Sequence, residues 1–184
     1  MDRRRVAAVL LAAGESSRMG RPKALLPWMG TTLVAFQVEQ LRLAGADPVV
    51  VVVGHQEERV AAAEQDLLDL GRCLVGDPPA AIIIANPDSR RGKSTSIRLG
   101  VEALPEDAGA ILLLAVDQPR RAETLRLLLA AHLQGGRLIT TPAYRGRRGH
   151  PPMLSATLRP ELNSLSEGRL GLREVMHRHL SDTL

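Results

Sequence analysis

The sequence contains few cysteines, aromatic residues and lysines, and it has no long apolar run. The single cysteine, Cys73, excludes a disulfide bond within the chain. Aromatic residues make up only 2% of the sequence, so the ring surfaces on which single-stranded nucleic acids stack are largely missing. No apolar run reaches the roughly 18–20 residues of a membrane-spanning helix. We therefore expect neither nucleic acid nor a membrane among the partners of this protein.

The charge of the chain favours small anionic partners. Its formal net charge is +4 and its pI is about 10.2, which attracts phosphorylated molecules. Two lysines, Lys23 and Lys93, stand against 22 arginines, and both lie in glycine-containing segments. A lysine ammonium is a compact point charge on phosphate, which the planar arginine fork does not reproduce. The two lysines are therefore candidates for contact with a phosphorylated ligand.

The start of the chain places basic residues ahead of the apolar run VAAVLLAA, as secretion signals do. The run is short, however, and continues directly into a charged turn that contains glycine, where a signal would have a cleavage site. We interpret it as the first buried strand of a cytoplasmic protein. The length of 184 residues suits one compact domain over residues 1–184.

Apolar runs typical of buried strands alternate with segments that have the apolar spacing of helices. This alternation predicts a mostly parallel sheet covered by helices on both faces, which is a single three-layer α/β/α domain of Rossmann-like type. Ligands of such folds bind beyond the carboxyl ends of the strands. The predicted strands are 6–13, 48–54, 80–86, 110–119 and 137–146, with a short segment around 152–154, and the predicted helices are 32–44, 57–70, 95–104, 122–133, 156–165 and 171–180.

The segment RRGKSTS at 90–96 is similar to a Walker A phosphate loop, whose pattern is G-x-x-x-x-G-K-[ST]. Pro87 occupies the position of the first glycine, and proline has a fixed φ and no N–H to offer a phosphate. The segment also follows the third predicted strand instead of the first, so we do not interpret it as a P-loop. Gly92, Lys93 and the hydroxyls of 94–96 then form either a helix N-cap or a contact with substrate.

The loop after the first strand, LLAAGESSRMGRPKALLP at 10–27, has stronger phosphate-binding features. Its glycines let the backbone approach a ligand closely, its serines supply hydroxyls, and its cations attract phosphate. It does not match the G-x-G-x-x-G dinucleotide fingerprint. We predict a phosphate-binding loop, with an ordinary surface turn as the alternative. The residues concerned are Gly14, Gly20, Ser16, Ser17, Arg18 and Lys23.

Asp117 is a candidate metal ligand. It follows six apolar residues, 111–116, and Pro119 stops the strand directly afterwards. The strand therefore delivers a carboxylate to the edge of the sheet at which ligands bind. Opposite a cationic phosphate loop, such a carboxylate is a natural ligand of Mg²⁺. The alternatives are a helix cap or a structural ion pair.

Four segments together resemble the nucleotidyltransferases with a molybdopterin-guanylyltransferase-like fold, and in particular their molybdenum cofactor cytidylyltransferase branch. LAAGESSRMGRPKALLP resembles the signature loop of the family. NPDSRRGKSTSIRLGVEAL (86–104), AVDQP (115–119) and RGRRGHP (145–151) follow in the order that the family shows. The resemblance implies a Mg²⁺-dependent transfer of a nucleoside monophosphate from a nucleoside triphosphate to a phosphorylated cofactor, with release of pyrophosphate.

The resemblance also implies roles for individual residues. Lys23 and Arg18 would stabilise charge on the triphosphate and Asp117 would bind Mg²⁺, so these three are the expected catalytic residues. Ala13 favours CTP, because guanylyl members usually show LAGG where this chain has LAAG. The expected nucleotide contacts are Leu11, Ala12, Ala13, Gly14, Ser16, Arg18, Lys23, Asn86, Gly92 and Ser96, and the expected acceptor contacts are Lys93, Gly149, His150 and Pro151.

The sequence departs from the family in two places. In SEGRLGLREV (166–175) the family's Gly-Asp pair is absent, and Glu167 precedes Gly168. Lys93 stands where related sequences usually have an uncharged residue, which suits a more anionic acceptor. Within the same class, the alternatives are guanylyl transfer and transfer to another phosphorylated acceptor. The protein could instead be a non-catalytic delivery protein that binds a nucleotide or cofactor. A P-loop kinase, the last alternative, would depend on Lys93. A transient contact with a molybdoenzyme or its chaperone is also implied.

Overall fold

The computed structural model describes residues 5–14, 22–54 and 81–183. The predicted helix 57–70 lies outside these residues. The described strands are β1 (Arg5–Ala12), β2 (Pro27–Trp28), β3 (Thr31–Thr32), β4 (Val49–Gly54), β5 (Ile82–Asn86), β6 (Ala108–Ala115), β7 (Ile139–Thr140), β8 (Ala143–Tyr144), β9 (Arg147–Arg148) and β10 (Met153–Ser155). The described α-helices are α1 (Leu33–Leu43), α2 (Lys93–Glu102), α3 (Ala122–Gly135), α4 (Arg159–Asn163) and α5 (Leu172–Arg178).

Within the described ranges, six strands form the central sheet in the order β5-β4-β1-β6-β10-β7. The four strands from β5 to β6 are parallel to one another, and β10 runs antiparallel between β6 and β7. The chain builds outward from β1 to β4 and β5, and it then returns to place β6 on the other side of β1. The carboxyl ends of β1 and β6 therefore flank the point at which strand order reverses, where open α/β sheets bind ligands.

Helices cover both faces of this sheet, which confirms the predicted three-layer α/β/α architecture. Along β1, Val6, Ala8 and Leu10 pack into the core that α1 and α3 share. Ala7 and Val9 point to the opposite face and pack into the core beneath α2, α4 and α5. A strand buried on both faces needs apolar residues at every position, and this explains the continuous apolar runs of the sequence. None of the described helices is both long and apolar enough to cross a bilayer.

The stretch 137–146 does hold a strand of the central sheet, as predicted, but that strand is only the two residues of β7. Only β7 joins the central sheet in this stretch, and β8 pairs instead with β9 in a separate two-stranded hairpin. Arg145 and Gly146 form the turn of that hairpin with φ of +48° and +74°, which suits the right-handed twist of paired strands. The predicted helix 156–165 also divides, into a 3-10 turn at Ala156–Leu158 and the short helix α4.

A buried histidine joins α3 to β7 and makes the stability of the fold depend on pH. His132 is 6% exposed, and its Nδ1 lies 2.9 Å from Oγ1 of Thr140. Burial lowers the pKa of His132 from its ordinary value of 6.5, because a charged imidazole is poorly solvated there. The unfolded chain therefore binds the proton more tightly than the folded protein. This histidine contributes stability above pH 6.5 that is lost as the pH falls through its folded pKa.

We therefore expect the free energy of unfolding to fall as the pH is lowered from about 7 to about 5, and to fall less steeply in a His132→Gln variant. Urea unfolding followed by circular dichroism across this range measures both slopes. His177→Gln is the matched control, because it makes the same substitution at an exposed position of α5. Equal slopes for the unchanged protein and His132→Gln would show that His132 does not carry this dependence.

Candidate active site

A lysine and an aspartate meet at the carboxyl edge of the sheet. Lys23 opens the short 3-10 helix Lys23–Leu25, and Asp117 follows β6. Lys23 Nζ lies 3.5 Å from Asp117 Oδ2, and the two side chains are 35% and 49% exposed. The structure thus brings together two of the three predicted catalytic residues. The third, Arg18, and the predicted nucleotide contact Ser16 lie outside the described residues.

A buried glutamine on α1 fixes the strand end that carries Asp117. Gln37 is fully buried, and its Nε2 donates to the carbonyl of Val116 at 2.7 Å and to that of Ala115 at 3.2 Å. The N–H of Val116 in turn donates to the carbonyl of Leu11 on β1 at 2.9 Å. Sequence reasoning missed Gln37, although a polar residue on the apolar face of the helix TLVAFQVEQLRLA was a signal for it.

The expected nucleotide-side residues of β1 lie at the same edge. Leu11, Ala12 and Ala13 are half-buried, and Gly14 is exposed. A methyl group on Gly54, the last residue of β4, would meet the Ala13 carbonyl oxygen at 3.1 Å. Glycine at this position therefore keeps the ends of β1 and β4 close, so that backbone lines this part of the edge.

Asn86 and Ser96, both predicted to contact the nucleotide, have their side chains inside the protein. Asn86 is 2% exposed and Ser96 is 3% exposed. Asn86 Nδ2 donates to Ser96 Oγ at 2.8 Å and to Thr95 Oγ1 at 2.9 Å, and Asn86 Oδ1 accepts from the N–H of Asp88 at 3.0 Å. These polar groups form hydrogen bonds with one another. We therefore assign the two side chains a structural role, which is to hold the loop between β5 and α2.

An arginine connects the Asp117 turn with the predicted acceptor segment. Gly149, His150 and Pro151 directly precede β10, the neighbour of β6. Arg120 donates from Nε and Nη2 to the carbonyl of His150, at 3.3 and 3.1 Å. Its Nη1 also donates to the carbonyl of Pro119 at 3.0 Å. One guanidinium thus joins the loops that follow β6 and precede β10.

Three cations from separate segments of the chain act on the charge of His150. The pKa of His150 is lowered from 6.5, first by burial and then by the positive charges of Lys93, Arg120 and Arg173. Its imidazole is therefore neutral at pH 7 and adds no further positive charge. Lys93 and His150 were predicted together as acceptor contacts, and Lys93 is one of the charges that lower the pKa of His150. Sequence reasoning missed Arg120, which follows AVDQP, and Arg173, which lies in SEGRLGLREV, because arginine is too common in this chain to mark either position.

A divalent cation fits the site only with help from its substrate. In the described part of the chain, no three histidine, cysteine or acidic side chains converge into a ligand set. Asp117 therefore offers a single carboxylate. Mg²⁺ commonly binds through one or two carboxylates together with substrate phosphates and water, so this donor set fits Mg²⁺ and does not fit a protein-only metal centre.

The fold and its ligand edge define a protein of the nucleotidyltransferase class. Residues 8–183 match the family described as the MobA-like NTP transferase domain, and the chain belongs to that family. It is 36% identical over 182 residues to the nicotine blue oxidoreductase of Paenarthrobacter nicotinovorans, a match that covers 94% of this chain and 82% of that protein.

Solved structures agree with this assignment. Rv0371c from Mycobacterium tuberculosis H37Rv superposes with a TM-score of 0.74 at 27% identity, over 94% of this chain and 82% of that one. The same protein has also been solved in complex with manganese. A nucleotidyl transferase from Methanothermobacter thermautotroptrophicus superposes with a TM-score of 0.71 at 25% identity, over 97% of this chain and 85% of that one. The proteins similar to this chain thus include one named a transferase and one named an oxidoreductase. A shared fold does not fix the reaction, which has to be argued from the site.

Proposed function

We propose that this protein is a cytoplasmic, Mg²⁺-dependent nucleotidyltransferase that transfers CMP from CTP to a phosphorylated molybdopterin-type cofactor and releases pyrophosphate. The observation that carries this proposal is the Lys23–Asp117 pair at the reversal point of the sheet. A cation and a carboxylate are adjacent there at the ligand edge. The three cations around His150 supply a second, separate region of positive charge for the acceptor.

The proposed step joins two phosphates. An oxygen of the acceptor phosphate attacks the α-phosphorus of the nucleotide, and the bond from that phosphorus to the oxygen that bridges it to the β-phosphate breaks. Pyrophosphate leaves with the electron pair, and a new P–O–P linkage remains on the cofactor. The attacking oxygen is already ionised, so the reaction needs no general base.

The residues of this chain act mainly through charge and position. Lys23, together with Arg18, would hold the triphosphate and offset the charge that develops at the α-phosphorus. Lys93, Arg120 and Arg173 would hold the acceptor phosphate against the repulsion of the nucleotide. Asp117 is the residue that would hold Mg²⁺, which when bound neutralises phosphate charge and orients the leaving group.

The choices of base and acceptor rest on fewer residues. Ala13 in the first loop supports CTP, because guanylyl members of the family that this sequence resembles usually have glycine there. Lys93 supports an acceptor with several negative charges, because it adds a cation to Arg120 and Arg173. The nucleotide-linked cofactor would then pass to a molybdoenzyme or its chaperone through a transient contact.

A pyrophosphate-release screen tests the proposal. The purified protein is incubated with each of the four common nucleoside triphosphates, with and without Mg²⁺ and with and without molybdopterin. We expect release with CTP only when Mg²⁺ and molybdopterin are both present. Preference for GTP would overturn the choice of base, and CTP turnover with a different phosphorylated acceptor would overturn the choice of acceptor.

The same screen separates transfer from its rivals. A delivery protein would bind nucleotide or cofactor saturably and release no pyrophosphate with any pairing. Because one relative is named an oxidoreductase, a parallel set of wells contains NADH or NADPH with nicotine blue and is read by absorbance. Reduction of the dye without pyrophosphate release in the main screen would replace the proposed reaction with a redox one.

A further inference from the structure

The first turn of α2 is capped by a side chain from the far end of the chain. The N-cap residue of α2 is Gly92, which has no side chain to accept a hydrogen bond. Instead, the N–H of Ser94 donates to Oε1 of Glu167 at 2.7 Å, across 73 positions of sequence. Glu167 opens a 3-10 turn, Glu167–Arg169, which a hydrogen bond from the N–H of Gly171 to the carbonyl of Ser166 closes at 3.0 Å.

Two glycines make room for this contact, one on each segment. Gly92 has a φ of +113°, and a methyl group there would lie 2.4 Å from Cγ of Glu167. Gly171 has a φ of +54°, and a methyl group there would lie 2.7 Å from Oγ of Ser94. Each segment therefore has glycine where the other segment needs space, and both glycines also adopt backbone conformations that side chains disfavour.

Ser94, whose N–H donates to Glu167, has a buried side chain. Ser94 is 3% exposed, and its Oγ has no hydrogen-bond partner among the described residues. The amino end of α2 therefore presents backbone N–H groups, partial positive charge and a buried hydroxyl, which are the features that bind phosphate in other proteins. Here the Glu167 carboxylate already lies in that position.

We propose that Glu167 is a positioning residue: its carboxylate occupies the amino end of α2 in place of a substrate phosphate and holds the first turn of the helix so that Lys93 faces the acceptor. The consequence for Lys93 rests on the function proposed above, whereas the occupation of the helix end does not. Lys93 is the first residue of α2, next to the N–H that Glu167 accepts. Its direction therefore depends on how that turn is held.

A double-variant cycle tests the contact without any activity measurement. The variants are Gly92→Ala, Glu167→Ala and the two combined, and urea unfolding gives the stability of each. A methyl group at Gly92 overlaps the Glu167 side chain, so we expect Gly92→Ala to destabilise the protein less when residue 167 is already alanine. The backbone strain of alanine at φ +113° is the same with glutamate or alanine at position 167, so it cancels when the two effects of Gly92→Ala are compared. Purely additive effects would overturn the proposed contact.

Anion binding tests the occupation of the helix end. We expect inorganic phosphate to raise the melting temperature of Glu167→Ala more than that of the unchanged protein, because removal of the carboxylate opens the helix end. Glu106→Ala is the control, since it removes one exposed carboxylate from another part of the chain. An equal rise in all three proteins would overturn the claim that Glu167 excludes phosphate from α2.

The positioning role has a kinetic test of its own. We expect Glu167→Ala to raise the KM for the acceptor about tenfold, roughly the effect of one lost helix cap, with the KM for the nucleotide unchanged. Glu167→Gln should restore it, because its amide oxygen still accepts the N–H of Ser94. A rise in both KM values, or no rescue by glutamine, would contradict positioning through Lys93. A protein without transferase activity would leave the unfolding and phosphate results intact, so the two proposals fail separately.

Discussion

Replacing Asp117 with asparagine should slow pyrophosphate release about 100- to 1,000-fold, the usual effect of removing one group that stabilises charge in a transition state. The substitution keeps the shape of the side chain and removes the negative charge that would hold Mg²⁺. Asp117 also contacts Lys23 at 3.5 Å, so its loss leaves the cation of the phosphate site misplaced. Initial rates measured against Mg²⁺ concentration should show a raised requirement for the metal as well as a lower maximum.

Asp107→Asn is the matched control for this prediction. Asp107 is 68% exposed and lies 3.8 Å from Arg5 at the opposite end of β6, so the same chemical change there should leave the rate within about twofold, as for most surface substitutions. Lys23→Ala should lower the rate to a similar degree as Asp117→Asn. Full activity of the Asp117→Asn protein, with normal folding by circular dichroism, would remove Asp117 from the mechanism.

Replacing Gly100 with valine should destabilise the fold by about 3 kcal/mol, at the upper end of the cost of overpacking a core. Gly100 lies in α2 where the helix packs on the sheet, and it is buried. A methyl group at this position would lie 2.3 Å from Cγ1 of Val9 and 3.0 Å from Cγ2 of Val52. Both valines are fully buried, so neither has space to move, and α2 would have to shift away from the sheet.

A graded series separates overlap from helix propensity. Gly100→Ala gains about 1 kcal/mol of helix propensity and still introduces the overlap with Val9, so we expect a net loss smaller than that of valine. Ala130→Val, at an exposed position of α3, measures the propensity cost of valine alone, about 0.5 kcal/mol. Urea unfolding gives all three values. A Gly100→Val protein no less stable than Ala130→Val would show that α2 is not held tightly against β1.

The meeting of Lys23 and Asp117 could be predicted from the sequence because it depends on topology. The two residues are 94 positions apart, but each lies in the segment that follows a run with strong strand character: Asp117 soon after β6, and Lys23 in the loop after β1. Parallel strands deliver their carboxyl ends to one edge, so any side chains placed there approach each other. This reasoning does not extend to His150, which precedes the antiparallel strand β10, and only the resemblance assigned Lys93 and His150 to an acceptor.

Other parts of the site could not be predicted, because they depend on contacts between segments that carry no local signal. Asn86 and Ser96 looked like ligand contacts, yet their side chains bond to each other across the loop between β5 and α2. The helix after that loop begins at Lys93 instead of the predicted residue 95. Its first turn is held by Glu167, whose position becomes visible only when the C-terminal segment packs against it.

By itself the sequence determined the alternation of strands and helices, the burial of the sheet on both faces and the two segments after strands that carry Lys23 and Asp117. These features follow from periodicity and from residues close together in the chain. The tertiary structure alone decided that Gln37 fixes the Asp117 turn, that Arg120 joins this turn to His150, and that a carboxylate fills the amino end of α2. Each of these is a hydrogen bond between distant segments, and its geometry exists only after the helices have packed on the sheet.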